Sequence, residues 1–272
     1  MVLGFMFFIP LLNSYEIYAI TGTFYALNFG GLGVADPAVI LQAIFAAGEV
    51  SITLLTAALF PVIVLMLFGR VWCGWCCPFL LLAEGADSLR GILGRKRLQW
   101  LFKPQVPVKN SLTANVTRYG FLTAGTALAG AMAVPLLNYV HTPGILSTEA
   151  MMLIKERAVS IEFGLLIVIL ALQMTIFPKM WCRLFCPTGA VSALFRTSVG
   201  LRVVCSAKQI SGPCCRESFC LDVCPMGLAP YREAGNLLCV NCGKCIDACR
   251  TDRLAFRGFE IGRFPESAGS SR

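Results

Sequence analysis

The chain has 272 residues, 57% of them hydrophobic and 14% charged, with a formal net charge of +8 and a mean hydropathy of +0.72. These values point to a membrane protein. The single histidine, His141, and the lack of a Cys-x-x-Cys-His run exclude c-type haem attachment and a bis-histidine haem within the chain, so no haem is expected.

Residues 1–27 are apolar but broken by Asn13-Ser14-Tyr15-Glu16. A spanning helix needs about 20 apolar residues, so a first span is predicted from the start of the chain to around Tyr15–Tyr18. With neither a basic leader nor a small-residue cleavage site, a span is preferred over a signal peptide. Either it begins at the first residue or a cytoplasmic stretch precedes it. Residues 28–48 hold Gly30-Gly31-Leu32-Gly33 and Asp36-Pro37 but no Lys or Arg, and predict an extracytoplasmic loop with a short interfacial helix over 38–47. The glycines lack the spacing and the strand–helix frame of a dinucleotide fingerprint. Further spans are predicted over 50–68, kinked at Pro61, over 119–140 and over 161–177, with a short loop over 141–157.

Between the second and third spans stand Arg70, Arg90, Arg95, Lys96, Arg97, Lys103, Lys109 and Arg118, while the first loop has no basic residue. The positive-inside rule then puts both termini in the cytoplasm. The fold class expected is an all-α integral membrane protein with four transmembrane helices, N-in and C-in, and a small C-terminal bacterial-ferredoxin-like two-cluster domain. The expected domains are residues 1–200 in the membrane, 201–262 ferredoxin-type and 263–272 a disordered tail. The +8 charge reads as a topology signal, and nucleic-acid binding has no support.

Cysteine carries the chemistry. Cys239-Val-Asn-Cys242-Gly-Lys-Cys245-Ile-Asp-Ala-Cys249 has the bacterial ferredoxin spacing for a [4Fe–4S] cluster, in which one tight loop presents three thiolates and the fourth cysteine reaches a second cluster. Upstream, Cys214-Cys215-Arg-Glu217-Ser-Phe-Cys220-Leu-Asp-Val-Cys224-Pro225 keeps the Cys-x3-Cys-Pro ending but has Glu217 at a cysteine position. Zinc prefers separated Cys-x2-Cys pairs or histidine partners, and disulfide frameworks belong to small secreted domains. Iron–sulfur chemistry is therefore expected, with the clusters supplying much of the folding energy of a domain too small for a large core.

The second and fourth predicted spans each end in an aromatic–cysteine unit, Trp72-Cys73…Cys77-Pro78 and Trp181-Cys182…Cys186-Pro187. Cysteines four apart share a helical face. One such pair would read as an interfacial helix end; two in equivalent places read as an internal repeat and as candidate redox or metal pairs, by dithiol cycling, metal binding or relay. Cys76 breaks the symmetry and reads as incidental.

These motifs, with Gly69-Arg70 before the first pair, Thr188-Gly189-Ala190 after the second and the Asp36-Pro37 loop, resemble the polyferredoxin-type membrane proteins of the NapH/MauN group, related to NosR. The resemblance covers almost the whole chain. It implies two cytoplasmic [4Fe–4S] clusters and quinol as electron source for a periplasmic respiratory or maturation system, at the bacterial inner membrane. A bound quinone, membrane lipid and other redox subunits, ferredoxin-like or cytochrome, are the further partners it implies. By the family pattern Cys224, Cys239, Cys242 and Cys245 hold one cluster, and Cys214, Cys220 and Cys249 part of the other. Cys205 is the expected fourth ligand, with Cys215 the alternative, and an oxygen ligand from Glu217 or a three-iron cluster also open. Glu16, Glu49, His141 and Glu162 are expected near the extracytoplasmic edge, and Glu84 and Asp87 on the cluster side, as groups that permit but do not locate a quinol site. The rival functions are a copper-handling biogenesis factor resembling CcoG and a purely structural anchor for a redox partner.

Overall fold

The computed structural model describes residues 2–15, 20–94, 111–175, 180–197, 200–205, 223–228, 236–249 and 254–258. Helix α1 (Val2–Ser14) leads into a three-stranded antiparallel meander, β1 (Ile20–Thr23), β2 (Ala26–Phe29) and β3 (Leu32–Ala35). Gly30 and Gly31 make the β2–β3 turn with φ of 55° and 101°, a conformation glycine adopts without steric cost. Asp36 caps α2 (Pro37–Ala47) by accepting from the Ala38 N–H at 2.9 Å, with proline at the first turn and Gly48 left-handed at its end. Ser51 caps α3 (Ile52–Phe68). After α4 (Val71–Trp75) come α5 (Pro78–Gly94), α6 (Ser111–Met132), a 3-10 turn at Leu136–Val140, α7 (Thr142–Lys155) and α8 (Ile161–Thr175). A π turn at Trp181–Phe185 precedes α9 (Pro187–Leu194). In the C-terminal segment β4 (Arg202–Cys205) pairs antiparallel with β5 (Leu254–Arg257), and a one-turn helix α10 (Lys244–Asp247) lies between them in sequence.

The four transmembrane helices expected from hydropathy are not found: among the described residues no helix is long and apolar enough to cross a membrane. The apolar runs are cut short by local signals. The 13 residues of α1 give way to the β meander, whose strands fill the second half of the first apolar run. At 1.5 Å per residue the 17 residues of α3 reach about 26 Å, short of the roughly 30 Å hydrocarbon core. Helix α8 has 15 residues. Helix α6 has 22, but it starts eight positions before the predicted span, runs through Asn115, Thr117 and Arg118, and stops before the residues that form the 3-10 turn. The predicted 141–157 loop is α7, a helix with buried Ile145, Leu146 and Ala150 that packs with Met6, Phe79 and Leu166 in one apolar core.

The predicted sidedness fails at a single group of contacts. Asp36, expected on the side opposite the cysteine motifs, accepts from Thr188 Oγ1 at 2.7 Å, two residues after Cys186, and pairs with His141 Nε2 at 3.2 Å. Burial would raise the Asp36 carboxyl, but the bonds from His141, the Ala38 amide and Thr188 outweigh it and hold the group below its ordinary value. Asp36 thus ties three segments distant in sequence. Its folded pKa is depressed, so its contribution is complete above the unfolded value of about 3.9 and is lost as pH falls through the folded one. We expect Asp36→Ala to cost about 1–3 kcal/mol at neutral pH by stranding its partners, and to flatten the acid limb of stability measured by chemical denaturation.

Candidate metal centre

The two Cys-x3-Cys-Pro motifs take the same local form. Cys77 and Cys186 each precede a proline that starts a helix, and their carbonyls accept the first helical bonds, from Leu81 (3.5 Å) and Ala190 (3.0 Å). Proline suits this position because its missing N–H would have no partner there. The sulfurs face the free amides of the first turn, Phe79 and Leu80 for Cys77 and Gly189 for Cys186, which favours their thiolates. The other member of each pair does not share a continuous helix with it. Cys73 lies in α4, which ends before Cys77; Cys182 lies in the π turn, closed by the Cys186 N–H on the Trp181 carbonyl at 3.1 Å.

All four thiols, Cys73, Cys77, Cys182 and Cys186, line one cleft together with Tyr25, Arg70, Trp72 and Thr188. Burial first, then neighbouring thiols, pushes Cys77 up to about 12 and Cys182 well above its ordinary value. Burial outweighs the Gly189 amide at Cys186, which also rises to about 12. Cys76 packs elsewhere, against Ile9, Phe24 and Tyr25.

The ferredoxin-type loop sits directly on the first motif. Arg70 Nη1 donates to the carbonyls of Leu238 at 3.1 Å and Leu237 at 3.4 Å. Trp75 Nε1 donates to the Asn241 carbonyl at 3.0 Å, and Asn241 Nδ2 donates back to the carbonyls of Phe68 and Leu201 at 3.0 and 2.7 Å. Asn241 is fully buried with a φ of 50°. Gly74 has no room for a side chain, because a Cβ there would run into the Val240 carbonyl oxygen. Around this joint Leu80, Met226, Leu228, Leu238 and Val240 form an apolar cluster against which Cys73, Cys77, Cys182, Cys224, Cys239 and Cys242 all pack.

Within the C-terminal run Cys224, Cys239, Cys242 and Cys245 stand within electrostatic reach of one another, and burial followed by those three neighbours pushes Cys245 up to about 12. Cys242 is also raised, by burial first, although the Lys244 amide favours its thiolate. Buried thiols that oppose one another's ionisation fit a cationic iron core, which would hold them as thiolates. Arg196 donates to the carbonyls of Asn236 and Cys239, the latter at 3.2 Å, placing a cation beside Cys239. Cys249 lies in a second apolar cluster with Cys245, Val203 and Leu254. The backbone of Cys205 ends β4 opposite Leu254. Cys214, Cys215, Glu217 and Cys220 lie outside the described residues, as does Glu16.

Sequence reading missed the two arginines. Arg70 and Arg118 were counted as basic flanks of a cytoplasmic loop, yet both are 1% exposed. Arg118 donates to the Gly189 carbonyl, and burial followed by the Arg70 charge lowers its pKa to about 10. A legible signal was the position of Arg70 between Gly69 and the aromatic–cysteine unit.

Comparison with known proteins agrees with this chemistry. A family model described as a 4Fe-4S binding domain matches residues 50–97 and 161–204, the segments that carry the two Cys-x3-Cys-Pro motifs. The chain is 27% identical over 220 residues to the ferredoxin-type protein NapH of Haemophilus influenzae, covering 73% of this chain and 66% of the relative. It is 26% identical over 198 residues to the methylamine utilization ferredoxin-type protein MauN of Paracoccus denitrificans, covering 72% and 62%. An uncharacterised protein of Methanocaldococcus jannaschii is 26% identical over 211 residues, covering 76% and 80%. No solved structure matches. These matches support an iron–sulfur electron-transfer role for the chain. The chain is similar to the NapH and MauN ferredoxin-type proteins, as the motifs imply.

We expect Gly74→Ala to push the Val240–Cys242 loop off the first motif. Overpacking of this kind costs about 1–3 kcal/mol. Denaturant midpoints together with faster loss of iron from the C-terminal run would register it.

Proposed function

We propose that the chain carries electrons from quinol toward a periplasmic respiratory or maturation enzyme, at the bacterial inner membrane and together with other redox subunits. The observation that supports this most is the packing of Cys224, Cys239 and Cys242 against the same apolar cluster as Cys73, Cys77 and Cys182. In this reading Cys224, Cys239, Cys242 and Cys245 hold one [4Fe–4S] cluster, and Cys205, Cys214, Cys220 and Cys249 the other, with Cys215 the alternative to Cys205. Bound there, the clusters supply one-electron storage. The names of the relatives place NapH and MauN among ferredoxin-type proteins, one of them in methylamine utilization.

Contact with lipid is supported by the outward faces of α3 and α8, where Ile52 is 81% and Ile161 92% exposed and Leu59, Phe60, Ile167 and Val168 are exposed beside them. Quinol reaches the chain from such a surface.

Purified full chain, reconstituted with iron and sulfide, is expected to show bleaching of its visible cluster absorbance on addition of a quinol. Cys242→Ser should lose that response. Clusters that stay oxidised with several quinols yet reduce with dithionite would sink the quinol reading while leaving the iron–sulfur reading intact.

A further inference from the structure

A second, narrower pocket opens where the first half of α5 and the last turn of α8 meet the C-terminal segment. Glu84 and Asp87 from α5, Gln173 from α8 and Met226 line it, with Leu80 and Cys182 beside them. Gln173 is 3% exposed, and its Oε1 has no hydrogen-bond partner among the described residues. A buried acceptor left unpaired is costly and asks for a donor. Glu84 and Asp87, three residues apart, share one face of α5. Glu84 already has a counter-charge in Lys244, whose Nζ stands 2.5 Å away. The unmet need is therefore a neutral hydrogen-bond donor rather than a cation. The rest of the wall is apolar: Leu80 and Met226 belong to the cluster against which Cys182, Cys224, Cys239 and Cys242 pack. The space is open on one side and has room for a hydroxyl rather than for a whole ring.

We propose that this pocket receives one hydroxyl of a quinol, with Gln173 Oε1 accepting its hydrogen bond and Glu84 taking its proton. The inference rests on the quinol reading above and gives that reading a site. A quinol is an apolar ring with a hydroxyl at each end, so a wall of Leu80 and Met226 around oxygen acceptors matches its edge. Gln173 ends a helix whose Ile167 and Val168 are exposed, which lets a ring arrive along an apolar surface. On oxidation the O–H bond in the pocket breaks and its proton passes to the Glu84 carboxylate. The Glu84 side chain is 30% exposed and hands that proton on to water. The second hydroxyl, on the open side, releases its proton to water directly. The two electrons leave the ring one at a time for the oxidised iron–sulfur centres proposed for the C-terminal run. Met226 and its neighbours put the pocket against Cys224, Cys239 and Cys242, so the electron has a short way to go.

The test uses the full chain reconstituted with iron and sulfide, and menadiol as the quinol. Gln173→Leu is expected to weaken menadiol binding about tenfold, measured by calorimetry on chain already reduced with dithionite so that no electron transfer intervenes. Glu84→Gln should change that affinity little but slow the bleaching of oxidised clusters by menadiol about a hundredfold. Both variants should keep wild-type circular dichroism, iron, sulfide and reduction by dithionite. Glu84→Gln gives up only a partly exposed ion pair, so it keeps the proposal exposed should Gln173→Leu not fold. Wild-type affinity in Gln173→Leu, or wild-type bleaching in Glu84→Gln, overturns the proposal. Wild-type clusters that ignore menadiol and other quinols yet reduce with dithionite would instead sink the quinol reading on which it rests.

Discussion

The joint between Arg70 and the Leu237–Leu238 carbonyls holds the functional end of the molecule together. A fully buried guanidinium costs several kcal/mol unless its donors are satisfied, and the carbonyls of the C-terminal loop accept from its Nη1, so the arginine binds that loop to the end of α3. Trp75 repeats the bond in the same direction, donating to the Asn241 carbonyl, and Asn241 donates in the other, to the Phe68 carbonyl. Gly69 and Gly74 leave the space that lets the two backbones approach this closely. The segment from Gly69 to Trp75 is therefore a socket for the ferredoxin-type loop as well as a carrier of cysteine.

From that joint the other features follow. The socket sets Cys239 and Cys242 against the apolar cluster that also contacts Cys73, Cys77 and Cys182. Asp36 fixes the far wall by tying the start of α2, His141 and Thr188, so the helix that begins after Cys186 cannot turn away. Lys244 and Glu84 add an ion pair at 2.5 Å between α10 and α5, but both are partly exposed and such a pair contributes little. The buried bonds and the close backbone packing hold the loop; the surface pair marks where its edge lies.

Much of the chemistry was legible because cysteine spacing is a local code. The stepped cysteines of 239–249 and the two Cys-x3-Cys-Pro pairs were found from residues a few positions apart, and the structure sets them side by side. The short helix expected over 38–47 is α2, and its capping Asp36-Pro37 is also a local signal. The transmembrane reading failed because hydropathy counts apolar residues without seeing how a run is divided. Strands fill residues 20–35, where the end of an apolar run and a loop were expected, and α7 buries a segment read as a loop. Arg70 and Arg118 were misread for the same reason: a charge rule counts basic residues by position along the chain, and burial against a distant backbone leaves no local trace. Asp36 and His141 were placed on the wrong side by that same topology. The ligands of the first run stay with sequence alone, since Cys214, Cys215 and Cys220 lie outside the described residues and Cys205 is fixed only by its backbone.

The most direct test of the account is the metal content of the purified full chain, measured as iron and acid-labile sulfide alongside EPR of the dithionite-reduced protein. An iron–sulfur electron carrier predicts iron and sulfide in equal amounts and a reduced-cluster signal. Zinc or copper in place of iron, or iron without sulfide, would contradict it.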